Sequence, residues 1–491
     1  MKKIFYRFRS AERLLDKAGS FTELDEQGEL SSQTIFFASP SSLNDPMEGF
    51  RDFYWDGDVV VWKNFFRNYL ICLDDSLKNM FFFGENVDLS EKSIFVFKKY
   101  KDLENNIVKS MIDNVFKSFF DNKYVDELIP LIVSRSTKIR RDELLYYLNA
   151  IHFFAIDIIL TEYEKNGLPV RISNPPNSDS TLRKLIDERY IQKIEEILST
   201  EKLDGHKFLN TLFSTQITMT AQLAFINYYN GTVDHKSKNK KLVFIDFPEK
   251  YLTSLEKIIY PNWYTACFMS GCSNSSVWGS YGNNHQGVCM MFQTDDKGFL
   301  GLNTRVGYSN GPIYGDSPFK FHKVNYLEGF GEIDFFRSLG KLSIPDLNAM
   351  WYRDPDDRSN SICAEEMNED ISKWRDKYWD GFYRDITIKS KDWEFEKEHR
   401  LILNGDQIGD GEPAHVRALK YEFSSLKGLI FGIKTKVEDK INIMKIIESK
   451  CRENNRSDFE FHQAYYSHEK KEILHYKLDL LKFKFFEKTD Q

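Results

Sequence analysis

The feature that most limits the possible folds is a long segment, from about Trp55 to Lys250, whose composition differs from the sequence on either side. This segment is rich in Lys, Phe and Ile and contains few Gly or Pro residues. Apolar residues recur at helical spacing from Asp142 to Leu160 and again over residues 182–198, which is typical of amphipathic helices. A chain of 491 residues also exceeds the usual size of one domain. We therefore predict an α+β fold whose core, residues 1–54 and 256–491, is interrupted by a helical insertion at residues 55–255.

The sequence on both sides of the insertion predicts strands mixed with helices. Near the N-terminus a short strand precedes a helix that begins after Ser10 and ends near Lys17, before Gly19. A second strand over residues 34–39 stops at Pro40. After the insertion, the predicted elements are strands at residues 263–268, 287–292 and 428–432, a helix at about 361–384 and an amphipathic helix at 437–451.

Composition narrows the class of protein. The 67 Lys and Arg residues are outnumbered by 74 Asp and Glu residues, and a dedicated nucleic-acid binder is usually basic overall. We expect no membrane span and no secretory signal, because apolar runs are short. The six Cys residues lack the paired spacing of a metal site. These features favour a cytoplasmic protein with reduced thiols and no structural metal. A basic stretch at residues 234–241 is either a solvated linker or a contact for phosphate or nucleic acid.

The most unusual local pattern is the acidic stretch from Trp393 to Arg400. As a β-strand, it would present Glu394, Glu396, Glu398 and Arg400 on one face. Three neighbouring carboxylates repel one another, which raises at least one carboxyl pKa. The stretch is therefore either a functional site or a solvated edge strand with a structural ion pair.

Three further motifs contain residues suited to ligand binding. Arg7, beside Tyr6 on the first strand, can bind a phosphate or carboxylate in a bidentate manner, or it can form a structural salt bridge. The second motif pairs Phe37 and Ser39 with a rigid turn at Asn44 and Asp45, which suits either a stacked planar ring or a core strand with an Asx-turn.

The third motif spans Trp278, Tyr281 and His285, whose spacing would place them on one helical face. His285 is a candidate general base or phosphate ligand, although a structural histidine capping the turn fits the same pattern. Cys289, four residues later, lies in an apolar strand, which favours a buried and inert thiol over a nucleophile. The chain contains no Gly-rich phosphate loop, G-x-S-x-G elbow, H-E-x-x-H or kinase signature.

Together these motifs resemble those of an uncharacterised bacterial family found in mobile and defence-associated contexts. The resemblance covers residues 1–50 and 260–450 and leaves the insertion unaccounted for. The order of the motifs is also similar to that of ADP-ribosyltransferases, which implies a split mixed-sheet α/β core and NAD as substrate.

The similarity to ADP-ribosyltransferases implies roles for individual residues. Arg7 would hold the pyrophosphate, with Tyr6 beside it, and Phe37 and Ser39 would pack on nicotinamide. Glu398 would stabilise the oxocarbenium-like ribose, and Glu396 would activate the acceptor. The remaining residues of the expected NAD site are Asn44, Asp45, Trp278, Tyr281 and Arg400. Trp278 and His285 have no settled place in the scheme of that family, so His285 stays a candidate catalytic base from its own motif.

Two other functions are compatible with the same residues. One is a metal-dependent nuclease in which Glu394, Glu396, Glu398 and His285 surround Mg²⁺ or Mn²⁺. The other is a non-enzymatic sensor or scaffold of a defence system, in which the helical insertion binds a partner protein and the acidic stretch is structural. The sequence therefore leaves open a toxin or anti-phage effector that consumes NAD, with a protein or nucleic acid as acceptor.

Overall fold

A computed structural model describes residues 2–15, 28–45, 47–103, 105–168, 177–200, 203–229, 238–327, 329, 331–409, 412–481 and 483. The predicted end of the first helix near Lys17 and residues 234–237 of the basic stretch at 234–241 lie outside the described residues. The described part of that stretch, Lys238–Lys241, is a short helix.

The structure is mixed α/β, and strands lie on both sides of the predicted insertion. In chain order the strands are β1 (Ile4–Arg9), β2 (Thr34–Phe36), β3 (Asp52–Trp55), β4 (Ile139–Arg140), β5 (Trp263–Met269), β6 (Val288–Gln293), β7 (Phe299–Ser309), β8 (Gly311–Lys320), β9 (His322–Lys323), β10 (Asn325–Leu327), β11 (Glu332–Asp334), β12 (Ile388–Ser390), β13 (Glu398–Asn404), β14 (Ala418–Tyr421), β15 (Leu426–Phe431), β16 (Glu460–Ser467) and β17 (Glu472–Lys477).

The longest helices fall within the predicted insertion. In chain order the α-helices are α1 (Ala11–Leu15), α2 (Glu29–Ser32), α3 (Val59–Phe83), α4 (Asn106–Phe120), α5 (Lys123–Val133), α6 (Arg141–Lys165), α7 (Ser180–Asp187), α8 (Tyr190–Ser199), α9 (Leu203–Tyr229), α10 (Lys238–Lys241), α11 (Phe247–Glu256), α12 (Ser275–Ser280), α13 (Ile344–Leu347), α14 (Glu365–Glu369), α15 (Ile371–Asp385) and α16 (Val437–Glu453).

The chain divides into two compact units. The core unit comprises Met1–Phe50, Pro261–Phe330 and Tyr383–Gln491, and the helical unit comprises Arg51–Tyr260 and Gly331–Phe382. The division differs from the predicted one because the second segment of the helical unit falls in sequence that we had placed in the core. Strand pairing accounts for this difference, since β11 pairs in parallel with β3, which in turn pairs with β4.

The core unit is built on a mixed eight-stranded sheet with the order β17-β16-β15-β6-β1-β5-β13-β9. Strand β1 is central and runs antiparallel to both neighbours, β5 and β6. Its side chains alternate, so Phe5 and Arg7 face one side while Tyr6 and Phe8 face the other. The sheet therefore carries the predicted N-terminal strand at its centre, beside strands contributed by the C-terminal half.

Apolar side chains bury both faces of this sheet. On one face, residues of the four-stranded sheet β2-β14-β7-β8 and of α16 join side chains of the large sheet in a single core. On the other face, Phe8 packs with Met269, Cys289 and Met291 against Trp278 of α12. Five of the six residues of β6 are buried, as expected for a strand that is covered on both sides.

The helical unit contains its own apolar core around α3 and α6. Trp55, Trp62 and Phe65 are among its largest fully buried side chains. Asp58 caps α3 by accepting a hydrogen bond from the Val61 backbone N–H. Helix α6 is long and apolar enough to cross a membrane by length and composition, but 67% of its most apolar window is buried inside the protein. That degree of burial is what the core helix of a globular unit shows, so α6 is weak evidence for a membrane span.

Two predicted elements are wrong. Residues Lys391–Glu396 form a 3₁₀ helix, and β13 begins only at Glu398. Lys397 between them has φ 49°, which no strand residue adopts. The predicted common face of four residues therefore does not exist, and Glu394 lies on the helix, exposed. Helix α12 ends at Ser280, and His285 has φ 67°, so the predicted helical face of Trp278, Tyr281 and His285 is also absent.

Candidate active site

Three adjacent strands bring together the residues of the candidate site in the core unit. Arg7 lies on β1, Cys267 on β5 and Arg400 on β13. The register of β5 and β13 places Arg400 opposite Cys267 and Glu398 opposite Met269. Because β5 lies between β1 and β13 and Tyr6 pairs with Met269, Glu398 and Arg400 share the sheet face of Tyr6, whereas Arg7 faces the other side.

A pocket of about 280 Å³ lies beside β1 and β5. Its walls come from the first strand, the segment after β2, β5 and one aromatic residue that follows α12. The residues that line it are Arg7, Phe8, Arg9, Arg13, Phe36, Ala38, Ser42, Leu43, Thr265, Ala266, Cys267, Met269 and Tyr281. This volume is at the lower end of ligand pockets, which span roughly 300–1,000 Å³.

Arg7 is the most unusual side chain of the pocket. It is 1% exposed, and its guanidinium lies 5.1 Å from the ring centroid of Phe268. Its Nη2 donates to the Phe36 carbonyl oxygen at 3.0 Å. Its Nε and Nη1 have no hydrogen-bond partner in the described part of the chain. A buried charge without a counter-ion is costly, so this geometry suits a guanidinium that receives an anion from a ligand.

Two further arginines line the same pocket and share one carboxylate. Arg9 Nε donates to Glu29 Oε2 at 2.9 Å, and Arg13 Nε donates to Glu29 Oε1. Burial and the neighbouring Arg9 lower the pKa of Arg13, although Glu29 opposes that shift. Glu29 is itself buried. The pocket therefore has a cationic end, which favours a negatively charged ligand.

A buried network of charged groups lies on the other side of the pocket wall. Lys389 Nζ of β12 contacts Glu396 Oε2 at 2.8 Å and Glu398 Oε2 at 3.2 Å. Arg400 Nε contacts Glu398 Oε1 at 2.9 Å, and Arg400 Nη1 contacts Glu48 Oε1 at 2.5 Å. These five side chains are each no more than 3% exposed. Three carboxyl groups thus share two cations.

Burial and the two cations shift the carboxyl pKa values in different directions. For Glu398, burial alone would raise the pKa, but Arg400 and Lys389 hold it at about 2. For Glu396, burial raises the pKa, and Lys389 and the Tyr281 hydrogen bond oppose this only in part. Burial likewise raises the pKa of Glu48, against the opposing effect of Arg400. Glu398 is therefore the permanently ionised member, and Glu396 is better suited to exchange a proton.

Two residues connect the pocket with this network. Tyr281 lines the pocket, and its hydroxyl donates to Glu396 Oε1 while it accepts from Asn44 Nδ2 at 2.8 Å. Burial and the neighbouring Glu396 raise the pKa of Tyr281, which keeps the phenol protonated. Cys267 also lines the pocket, and its thiol lies beside Glu398. Burial and the charge of Glu398 raise the pKa of Cys267, so it is a poor nucleophile. Neither glutamate itself lines the pocket.

Several residues predicted for the site have other surroundings. Tyr6 faces the opposite side of β1 from Arg7, where burial and the nearby Cys272 and Cys289 raise its pKa to about 12. Phe37 is fully buried and packs on Phe319, with ring centroids 5.7 Å apart. These contacts make Phe37 a core residue, as one of the two interpretations of its motif anticipated.

The turn after Pro40 also differs from a ligand-stacking surface. The Ser39 hydroxyl bonds with those of Ser41 and Ser42 and does not line the pocket. Asp45 accepts from the Met47 backbone N–H at 2.9 Å, which is the predicted Asx-turn. Asn44 joins the site only indirectly, through its hydrogen bond to Tyr281.

Trp278 and His285 lie outside the pocket lining. The Trp278 ring is buried, meets Phe8 edge-on at 4.8 Å and donates from Nε1 to the Cys272 carbonyl at 2.7 Å. The His285 backbone N–H donates to the Trp278 carbonyl at 3.2 Å. Burial and Lys434 lower the pKa of His285. Cys289 is buried on β6, and burial raises the pKa of its thiol, in agreement with an inert cysteine.

The ligand set predicted for a metal-dependent nuclease is not assembled. Glu394 is exposed on the 3₁₀ helix, and Lys389 and Arg400 occupy the oxygens of Glu396 and Glu398. Among the residues that the structure describes, no three His, Cys, Asp or Glu side chains converge to hold a metal ion.

Sequence reasoning missed two charged members of the network. Lys389 stands in no motif, and it reaches the glutamates only because β12 pairs with β10 beside the start of β13. Glu48 follows the turn at Asn44 and Asp45, but nothing in its neighbourhood pointed to Arg400, which is some 350 residues later in the chain. Arg9, Arg13 and Glu29 were missed for the same reason, since only the fold brings them to one pocket.

Comparison with known protein families gives one match. The model of DUF2971, a protein family of unknown function, matches residues 277–401. The matched segment contains Tyr281, Lys389, Glu396, Glu398 and Arg400, and it ends inside β13. A DUF2971 domain is therefore found in the part of the chain that supplies most of the charged network. Searches of curated proteins and of solved structures found no match.

Proposed function

We propose that this protein is an ADP-ribosyltransferase-like or NAD-cleaving enzyme. The observation that carries the proposal is Arg7, which lines the pocket and whose buried Nε and Nη1 have no hydrogen-bond partner among the described residues. A phosphate oxygen that accepts from either nitrogen would supply the missing negative charge. Arg9 and Arg13 at the same end of the pocket add to the attraction for a pyrophosphate.

The proposed chemistry is cleavage of the bond between nicotinamide and ribose. As that bond breaks, its electron pair leaves with nicotinamide, and positive charge develops on the ribose ring. Glu398, ionised across the physiological pH range, would stabilise this charge electrostatically. Glu396 would accept the proton of the attacking hydroxyl. If the hydroxyl belongs to water the reaction is hydrolysis, and if it belongs to an acceptor the reaction is ADP-ribosyl transfer.

The proposal requires movement at one point of the pocket wall. Tyr281 and Cys267 separate the pocket from the two glutamates, and Tyr281 is held by Glu396 and Asn44. Rotation of the Tyr281 side chain would expose the Glu396 carboxyl to a bound ribose. We therefore assign Tyr281 as the residue that contacts the substrate beside the reacting bond.

The test has two measurements on the full chain. First, titration calorimetry with NAD and with ADP-ribose should give binding to the wild type and at least tenfold weaker binding to Arg7→Met. Second, nicotinamide release should fall by about 100-fold or more in Glu396→Gln and Glu398→Gln, within the range for loss of an acid–base or electrostatic group. Glu394→Gln, an exposed change only two residues from Glu396, should match the wild type.

The proposal fails if neither NAD nor ADP-ribose binds, or if both Gln variants release nicotinamide at the wild-type rate. Because Gln at position 398 weakens a buried network, circular dichroism of each variant must first show that it is folded. Glu396→Gln is the more decisive variant, since its carboxyl has a single lysine partner and its loss disturbs fewer ion pairs.

A second candidate function is a non-catalytic sensor whose pocket binds a phosphate-bearing ligand. The sensor is favoured because Glu398 is buried and both cations of the network already contact its carboxylate. In a sensor, Arg7→Met would still abolish ligand binding, but neither wild type nor variants would release nicotinamide. The two measurements thus separate the enzyme from the sensor.

The resemblance to a defence-associated bacterial family supports a biological setting for either function. We propose an effector of toxin or anti-phage type, which acts in the cytoplasm. Expression of the wild type in bacterial cells should deplete NAD and slow growth, while Glu396→Gln should do neither.

A further inference from the structure

Helix α9 of the helical unit carries an unusual exposed surface. Six of its large apolar side chains are between 49% and 82% exposed. They are Phe208, Leu212, Met219, Phe225, Ile226 and Tyr229. The sequence from Phe208 to Tyr229 contains no charged residue. A surface helix normally has charged residues on its exposed side, so this surface is not suited to permanent contact with water.

The exposed residues follow the spacing of a coiled-coil seam. Positions 208, 212, 215, 219, 222, 226 and 229 alternate by four and three residues, and all seven are exposed. Five of them are large and apolar, and the other two are Thr215 and Gln222. This spacing keeps one stripe facing a partner helix over three heptads. We call these seven positions the α9 seam.

A different face of α9 attaches the helix to its own unit. Leu209 and Phe213 are buried, and the Phe213 ring lies 6.1 Å from that of Tyr146 on α6. On a helical wheel these two residues lie about a third of a turn from the centre of the seam. The seam is therefore free to meet a partner while the helix stays anchored.

We propose that the α9 seam pairs with the same seam of a second copy of this chain, forming a two-stranded coiled coil. The five apolar side chains of the seam and Phe225, which flanks it, offer about 700 Å², taking roughly 200 Å² for one large side chain. That is more than the ~300–600 Å² of the largest apolar patch on a typical monomer. It approaches the ~800 Å² that each partner buries in a stable interface.

Charge and length favour a second copy over other occupants. Because residues 208–229 carry no charge, two identical seams meet without like-charge repulsion, and isologous pairing needs only one self-complementary surface. The longest segment outside the described residues, 16–27, has twelve residues. As a helix it would reach about 18 Å, against about 32 Å for the seam. A helix formed by such a segment would therefore leave almost half of the seam uncovered.

The oligomeric state of the full chain tests this proposal. Sedimentation equilibrium should give twice the mass of one chain for the wild type, and Leu212→Glu with Met219→Glu should weaken dimerisation at least 100-fold. The matched control is Ser214→Glu with Thr218→Glu, which adds the same two charges at exposed positions off the seam and should remain dimeric. A monomeric wild type at about 50 µM, or equal dissociation of seam and control variants, would overturn the proposal.

Cross-linking keeps the test decisive if the charged seam variant does not fold. Met219 lies at the middle of the seam, so in either a parallel or an antiparallel pair it meets the same region of the partner. Met219→Cys should form a disulfide-linked dimer under mild oxidation, and Ser214→Cys and the wild type should not. If the wild type is instead monomeric and sediments with phosphatidylglycerol vesicles, the surface binds membranes and the coiled coil is refuted.

Discussion

Replacement of Glu398 by Gln tests the energetics of the buried charged network directly. The change keeps the shape of the side chain and removes its negative charge, so it mimics the protonated form. Arg400 and Lys389 hold the pKa of Glu398 at about 2, against an ordinary value of 4.5. At about 1.4 kcal/mol for each pKa unit, the ionised form contributes about 3 kcal/mol to folding at pH 7. We expect Glu398→Gln to lower the free energy of unfolding by this amount.

The pH dependence of that loss follows from the direction of the shift. Because the pKa of Glu398 is depressed by folding, its contribution is fully present above the unfolded value of 4.5. It declines as the pH falls from 4.5 towards the folded value of about 2. The difference between wild type and Glu398→Gln should therefore shrink from about 3 kcal/mol at pH 7 to about 2 kcal/mol at pH 3.5.

Urea unfolding followed by circular dichroism at the two pH values measures both quantities. Glu394→Gln is the control, and as an exposed substitution it should change stability by less than about 0.5 kcal/mol. A loss of under about 1 kcal/mol for Glu398→Gln at pH 7, or a loss of the same size at both pH values, would refute the argument. The cations would then not be stabilising the carboxylate in the way that the contacts indicate.

Three other perturbations give separate outcomes. Arg7→Met should leave the midpoint of thermal unfolding unchanged or raise it, because it removes a buried charge that has no counter-ion among the described residues. A large drop of this midpoint in differential scanning calorimetry would contradict the reasoning. Tyr281→Phe removes a hydrogen bond that lowers the pKa of Glu396, so the pKa of Glu396 should rise. The acidic limb of the pH–rate profile for nicotinamide release should then move to higher pH. An unmoved limb would exclude Glu396 as the base. Since burial and Glu398 raise the pKa of Cys267, iodoacetamide at pH 8 should leave Cys267 unmodified in the native protein. Rapid alkylation detected by peptide mass spectrometry would contradict the raised pKa.

Local sequence patterns were sufficient to predict the positions of many strands and of one helix in the core unit. The strands β1, β5, β6 and β15 lie where apolar runs predicted them, and α16 follows its amphipathic pattern. These elements are determined by side chains that alternate or recur within a few residues, so a window of ten residues contains the signal. Arg7 was identified as a candidate anion ligand for a similarly local reason, its place on an apolar strand.

The acidic stretch shows where local reasoning fails. Alternating apolar and charged residues from Trp393 to His399 are compatible with a strand, yet the chain turns at Lys397. The buried position of Glu396 next to Lys389 stabilises that turn, and Lys389 is placed by strand pairing that no local pattern reports. The network is thus determined by long-range contacts, and so is the assignment of residues 331–382 to the helical unit.

The pairing of β1 also has a consequence for synthesis of the chain. Tyr6 pairs with Met269 of β5, and Arg7 pairs with Met290 of β6. At roughly 5–20 residues per second, a ribosome makes these partners about 10–50 s after β1. Throughout that interval Phe5 and Phe8 of the nascent chain lack their native neighbours, which makes the N-terminus a natural binding site for chaperones. A chain terminated before Glu396 also lacks both glutamates of the charged network, so the NAD-consuming activity proposed above would arise only once most of the chain has been made.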